Sequence, residues 1–231
     1  MKLYFTYLFV LLLCFASCKD TTTTAKPKTT TTLVPKKKDT VAKVKKDTTF
    51  TLTEENAIDF FFNYNKNLKE TQVKFTTTKG DFTIKLFDNV PYHKANLIYL
   101  AKQGYFTNTQ FHRVVKNFII QGGNSDSKEA YKKRRKIGRY LLPPDTRKGH
   151  KHHRGVISMP SSESDNPHKL ASPYEFFIVV TEPGSYHLDG DYTPFGRVVS
   201  GMDVVDKINA VPVDKGDWPM QSIFILKAEA F

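Results

Sequence analysis

Apolar residues recur along this chain in three rhythms. From Leu3 to Phe15 they run almost unbroken, with Thr6 the polar interruption. From Ala57 they return at near-helical spacing through Ile58, Phe61 and Leu68, behind the helix start Thr53-Glu54-Glu55-Asn56. The consecutive Phe60, Phe61 and Phe62 give that helix an apolar face that must dock on something. Beyond residue 73 the rhythm becomes strand-like. Phe75 to Thr77 and Phe82 to Phe87 alternate about Lys79-Gly80-Asp81, which predicts a hairpin. Pro91 opens a helix through Gln103, with Asp88 or Asn89 as its cap and Gly104 as its stop. Six more strands follow at 111–115, 118–121, 156–159, 176–181, 195–199 and 223–228, and one helix near Met202 to Asn209. Many short strands with two core helices define a mainly β fold, a closed antiparallel barrel capped by those helices and preceded by an extra N-terminal helix.

Charge divides the chain further. Its net +12 is not spread evenly: residues 19–48 hold nine Lys against three acids, and residues 127–154 hold eleven Lys or Arg against two. The basicity thus belongs to a tail and one internal segment, so no nucleic-acid partner is expected. Lys2, the apolar run and Ala16-Ser17-Cys18 read as a secretory signal, too short for a spanning helix of about 20 apolar residues. Its end resembles a bacterial lipobox, with Phe15 in place of the usual Leu. That resemblance implies cleavage before a lipid-bearing Cys18 and a membrane anchor; an ordinary cleaved signal is the alternative. Cys14 and Cys18 are the only cysteines, so the domain beyond has no thiol for a disulfide or a nucleophile. The Thr-, Lys- and Pro-rich residues that follow cannot bury enough apolar area to order themselves. The expected organisation is a signal at 1–17, a tether at 18–49, a helical extension at 50–72 and the barrel at 73–231, with a basic insertion at 124–154.

The chemistry is concentrated in Phe111-His112-Arg113-Val114-Val115-Lys116-Asn117-Phe118-Ile119-Ile120-Gln121-Gly122-Gly123. This stretch resembles the signature of cyclophilin-type peptidyl-prolyl isomerases. The likeness continues in Gly155-Val156-Ile157-Ser158-Met159, Phe176-Phe177-Ile178-Val179, and Leu188-Asp189-Gly190 with Phe195-Gly196-Arg197-Val198. The resemblance implies an eight-stranded barrel, in agreement with the strand count above, an isomerase without cofactor or metal, and proline-containing polypeptides as partners. It assigns Arg113 as the donor to the prolyl nitrogen, Gln121 as its orienting residue, and Phe118, Ile119, Phe177 and Leu188 as the proline cup. Taken singly, those residues would read as a rim charge, an amide and core side chains.

Several positions depart from the family pattern. Ile119 replaces the usual Met, Ser161 the usual Asn, His187 a Trp or Phe at the pocket border, and Tyr192 a His. Glu175 replaces Gln behind Pro173-Tyr174, and is expected either to pair with Arg113 and compete with substrate or to point to water. The insertion carries Lys132-Lys133-Arg134-Arg135-Lys136, a candidate polyanion site, and His150, His152 and His153, read as solvated side chains rather than a metal site. Three classes of function remain open: an exported isomerase, a Pro-peptide binding module of low turnover, and a polyanion-binding lipoprotein.

Overall fold

The computed structural model describes residues 50–161 and 165–231. The apolar leader, Cys18 and the tether lie outside the described residues. Strands β1 (Gln72–Thr77), β2 (Gly80–Leu86), β3 (Thr109–Val115), β4 (Ile119–Asn124), β5 (Val156–Ser158), β6 (Phe176–Val179), β7 (Pro194–Ser200) and β8 (Phe224–Ala230) close an antiparallel barrel. Their order around it is β1-β2-β7-β5-β6-β4-β3-β8. Alternation decides which side chains enter the barrel: Val73, Phe75 and Thr77 of β1 and Phe82, Ile84 and Leu86 of β2 are buried, while their neighbours are not. Inside, Phe75 stacks on Phe82 at 5.2 Å and meets Phe106 and Phe176 at 5.5 and 5.2 Å. Each such ring, once buried, contributes roughly 1.5–3 kcal/mol.

Two local expectations are corrected. Thr77 pairs with Gly80, so the hairpin turns at Thr78-Lys79 rather than about Lys79-Gly80-Asp81. Helix α2 (Pro91–Lys102) has Val90 at its N-cap and no side-chain cap. Pro91 already removes one orphan donor there; Asp88 is drawn instead to Lys94 Nζ at 2.6 Å, and Asn89 to the His150 ring.

The N-terminal helix, α1, is confined to Ala57–Lys66, because Asn56 Oδ1 accepts the Thr53 N–H at 2.8 Å in a turn ahead of it. Its Phe61 is fully buried and reaches Tyr99 of α2 and Tyr140 of the insertion, while Phe62 faces solvent. The insertion contains a further helix, α3 (Lys128–Ile137), capped by Ser127 Oγ on the Ala130 N–H. Only Ala130 and Ile137 of α3 are buried, which is why its apolar rhythm is so faint in the sequence. Past it, Leu52 exchanges backbone hydrogen bonds with Ile137 and Arg139. Gly138, at φ +138°, is required between them, since a Cβ there would collide with the Leu52 carbonyl. Helix α4 (Met202–Asn209) lies where the sequence places it. Among the described residues, no helix is long and apolar enough to cross a membrane.

Candidate active site

A row of outward-facing side chains crosses the sheet. The Cα partners are Arg113 with Gln121 on β3 and β4, Gln121 with Phe177 on β6, and Phe177 with Ser158 on β5. Register partners in an antiparallel sheet share a face. Around this row lies a cavity of about 250 Å³ lined by Arg113, Phe118, Ile119, Gln121, Pro160, Ser161, Phe177, Leu188 and Tyr192. Its apolar wall is a cluster separate from the barrel core: Ile119, Phe177 and Val179, with Phe118, Leu188 and Tyr192 packed on it. Tyr192 meets Phe177 edge-on at 5.5 Å. His187 does not line the cavity but stacks on Phe118 at 5.4 Å, at the rim. Ser161 Oγ accepts from Asn166 Nδ2 at 2.8 Å, which fixes the opposite lip.

The β3–β4 turn that presents Phe118 is held from behind. Asn117 takes φ +58°, a conformation Asn tolerates, and its N–H donates to Asn209 Oδ1 at 2.9 Å. Asn209 Nδ2 donates back to the Val115 carbonyl at 2.9 Å. This buried residue at the end of α4 is a positioning group that pattern reading did not single out. Its partners lie some ninety positions away along the chain.

The polar half of the site differs from the expectation in two respects. No hydrogen bond joins Gln121 to Arg113; Gln121 Nε2 donates to Glu175 Oε2 at 3.0 Å and lies 3.3 Å from His112 Nε2. Nor does Glu175 pair with Arg113 or point to water. It accepts from Asn124 Nδ2 at 2.9 Å, lies 3.4 Å from His112 and 3.9 Å from Arg134, and its side chain is 17% exposed. Burial pushes its carboxyl up, but the hydrogen bonds from His112 and Gln121 and the charges of His112 and Arg134 outweigh that and hold it below the usual carboxylate range. The acid that reaches Arg113 is Asp217, at 3.5 Å from Nε, with both side chains well exposed.

Residues of the insertion explain these departures. Arg134 donates Nε to Tyr105 Oη at 2.9 Å and Nη2 to Asn124 Oδ1 at 2.8 Å, and lies over the Tyr174 ring at 5.2 Å. Tyr174 Oη donates to the Gly138 carbonyl at 2.6 Å. Tyr174 and Glu175, which break the family pattern, are the contacts that seat α3. The basic run is divided accordingly: Arg134 is turned inward and Lys133 Nζ bonds the Thr107 carbonyl, while Lys132, Arg135 and Lys136 are exposed.

The three histidines of the insertion do not converge. His150 stacks on Phe87 and His153 meets Tyr186 Oη. His152, expected from the sequence to be solvated, instead has no exposed surface and bonds Asp189 and Ser158.

The described residues thus form a closed eight-stranded antiparallel barrel with an external, largely apolar cup that Arg113 also lines. The profile of the family described as cyclophilin type peptidyl-prolyl cis-trans isomerase/CLD matches residues 72–230, and the chain belongs to that family. It is 38% identical over 160 residues to peptidyl-prolyl cis-trans isomerase-like 1 of Neurospora crassa, covering 68% of this chain and 93% of that protein. It is 32% identical over 164 residues to peptidyl-prolyl cis-trans isomerase B of Escherichia coli, covering 66% and 95%. To peptidyl-prolyl cis-trans isomerase-like 2 of Rhizopus delemar it is 37% identical over 172 residues, 74% of this chain but only 31% of that longer protein. Among solved structures, a Cryptosporidium parvum cyclophilin crystallised in the presence of the dipeptide Ala-Pro superposes with a TM-score of 0.58 at 29% identity, covering 69% of this chain and 98% of that one.

Proposed function

We propose that this chain is a peptidyl-prolyl cis-trans isomerase that accelerates X-Pro bond rotation in extracytoplasmic proteins. One observation carries the reading: Arg113, its side chain 45% exposed, lines the same cavity as the apolar Phe118, Ile119, Phe177 and Leu188. Rotation about an X-Pro bond is slow because the amide nitrogen shares its lone pair with the carbonyl, a barrier of about 18–20 kcal/mol. As the bond twists, that sharing is lost and the nitrogen becomes basic. A guanidinium donor then binds the twisted form more strongly than the planar one, which is catalysis without nucleophile or general base. Arg suits the role because it stays protonated and presents a rigid fork. Gln121 lines the same cavity and is held through its Nε2 by Glu175.

The reading is tested with an Ala-Pro peptide in an exchange NMR or protease-coupled assay. Arg113→Ala is expected to lower kcat/KM by about 10²–10³-fold, the usual cost of removing a preorganised donor to a developing charge. If the parent binds the peptide without accelerating rotation, the chain is a Pro-peptide binding module instead.

The exported, lipid-anchored form is supported by Lys2, the apolar run and Ala16-Ser17-Cys18. Cys18→Ser should move the protein from the detergent phase to the aqueous phase; an unchanged partition would remove the lipoprotein part of the proposal. A polyanion partner is supported only by the exposed Lys132, Arg135 and Lys136 of α3. Reversing those three charges should shift salt-dependent elution from heparin strongly while leaving turnover nearly intact.

A further inference from the structure

The row that carries the pocket does not end at Phe177. Arg113 at one end of it is 45% exposed, whereas Ser158 at the other is completely buried. What covers Ser158 is His152. Its Nε2 lies 2.9 Å from Ser158 Oγ and its Nδ1 2.7 Å from Asp189 Oδ1, and its backbone N–H donates to that same oxygen at 2.9 Å. The imidazole lies nearly parallel to the Phe177 ring, at 6.1 Å and 15°. An ionised Asp189 can only accept, so Nδ1 carries a proton, and in the neutral ring Nε2 then accepts the Ser158 hydroxyl. In that tautomer both ring nitrogens are used. The same three residue types form the triad of many hydrolases, but Ser158 has no exposed surface and no acyl group can reach it. The arrangement is a brace, not a nucleophile.

What it braces is one wall of the cup. Asp189 directly follows the 3₁₀ turn Tyr186–Leu188 and forms a backbone bridge with Tyr192. Leu188 and Tyr192 both line the cavity. We propose that His152 is a positioning residue for proline recognition: its neutral imidazole ties the Leu188–Tyr192 wall, through Asp189, to Ser158 on β5 and so fixes that wall against Phe177. This rests on the isomerase reading above. A second proton on Nε2 would turn an acceptor into a donor facing Ser158, leaving the hydroxyl proton without its acceptor. The titratable groups acting on the ring are Asp189 and His187 from the 3₁₀ segment, while β5 and β6 bring Ser158 and Phe177. Burial lowers the His152 pKa from its ordinary value; the hydrogen bond and charge of Asp189 oppose this and His187 adds to it.

Histidine side-chain ¹⁵N NMR and Ala-Pro peptide titrations on the same samples, from about pH 5 to 8, test the proposal. At neutral pH His152 should show a protonated Nδ1 and a bare Nε2, and peptide affinity should fall with the same midpoint as the His152 resonances, not those of His187. Asp189→Asn keeps an acceptor oxygen but removes the charge, and should move both midpoints to lower pH together. A purely structural histidine would leave the affinity profile fixed. His152→Phe, which retains a ring against Phe177 but neither hydrogen bond, should weaken peptide binding about tenfold. A doubly protonated His152 at neutral pH, an affinity midpoint that ignores Asp189→Asn, or a folded His152→Phe variant that binds like the parent would overturn the proposal. Parent protein that binds peptide without turnover defeats the isomerase reading alone, since affinity still reports on His152. Parent protein that binds no peptide defeats both.

Discussion

The proposed role of Arg113 needs a guanidinium that nothing else holds, and the acid that reaches it is Asp217. Both side chains are exposed by more than a third and the contact is long, so the pair is worth no more than about 1 kcal/mol. Asp217→Asn keeps the backbone at φ +63°, which Asn accepts, and releases Arg113. A rise in kcat/KM of at most about fivefold is expected at low ionic strength, fading as salt screens the parent pair. Equal efficiency of both proteins at low salt would show that Asp217 does not compete. Glu175→Gln should behave in the opposite way. Its carboxylate serves Gln121, Asn124 and His112 rather than Arg113, so the variant should turn over no faster than the parent while losing about 1–2 kcal/mol of stability. The sign follows from a folded pKa held below the ordinary 4.5: the stabilisation is present above that value and is lost as pH falls through the lower folded value. The deficit of the variant in denaturant titrations should therefore shrink under acid conditions.

At the scale of elements, α2 is buried along most of its length, and His93 in its first turn is completely enclosed with neither ring nitrogen partnered. Burial lowers its pKa to about 3 from an ordinary 6.5. The unfolded chain takes up a proton below 6.5 that the folded chain refuses, so stability is fully present above that pH and falls at about 1.4 kcal/mol per unit below it. His93→Leu, of similar volume, should stabilise the protein at neutral pH by removing an unsatisfied polar group, and by about 2 kcal/mol more at pH 5. Urea midpoints at the two pH values decide this; a gain that does not grow on acidification would mean that the ring finds a partner. Elements with a plain rhythm were legible in the sequence: β2, α4 and the strands holding Arg113 and Phe177 lie within a few residues of where alternation and helical spacing put them. Helix α3 was not, because its mean composition is basic and its anchoring is polar, through Arg134 and Tyr174. The hydrogen-bond partners of Gln121, Glu175 and His152 are not legible in the sequence for a related reason. Each has a partner thirty-seven to fifty-four positions away, which spacing along the chain does not report.

On the scale of the molecule, the family profile begins at residue 72, yet the core of this protein begins twenty residues earlier. Leu52, Ala57 and Phe61 are fully buried in the same apolar cluster as Phe75, Ile98 and Phe176, and Phe60 and Tyr64 surround Tyr99 at 5.1 and 5.6 Å. The insertion is built into the same seam. Tyr140 packs on Phe61 and donates to Asn96 Oδ1 of α2 at 2.7 Å, and Leu52 holds Ile137 through its backbone. Extension and insertion thus stabilise one another on top of α2, on elements distinct from the strands that carry Arg113, Gln121 and Phe177. Removing residues 50–71 would expose Tyr99 and Tyr140 and discard two large side chains, each worth roughly 1.5–3 kcal/mol when buried. Against a typical total of about 5–15 kcal/mol, that loss is large. A chain beginning at Gln72 should therefore melt well below the parent and bind a hydrophobic dye. Peptide turnover per folded molecule, measured at low temperature, should nevertheless stay within a few-fold of the parent. If the shortened chain melts with the parent, α1 is an appendage; if it stays folded but loses turnover, the seam reaches the pocket through Tyr174 and Glu175.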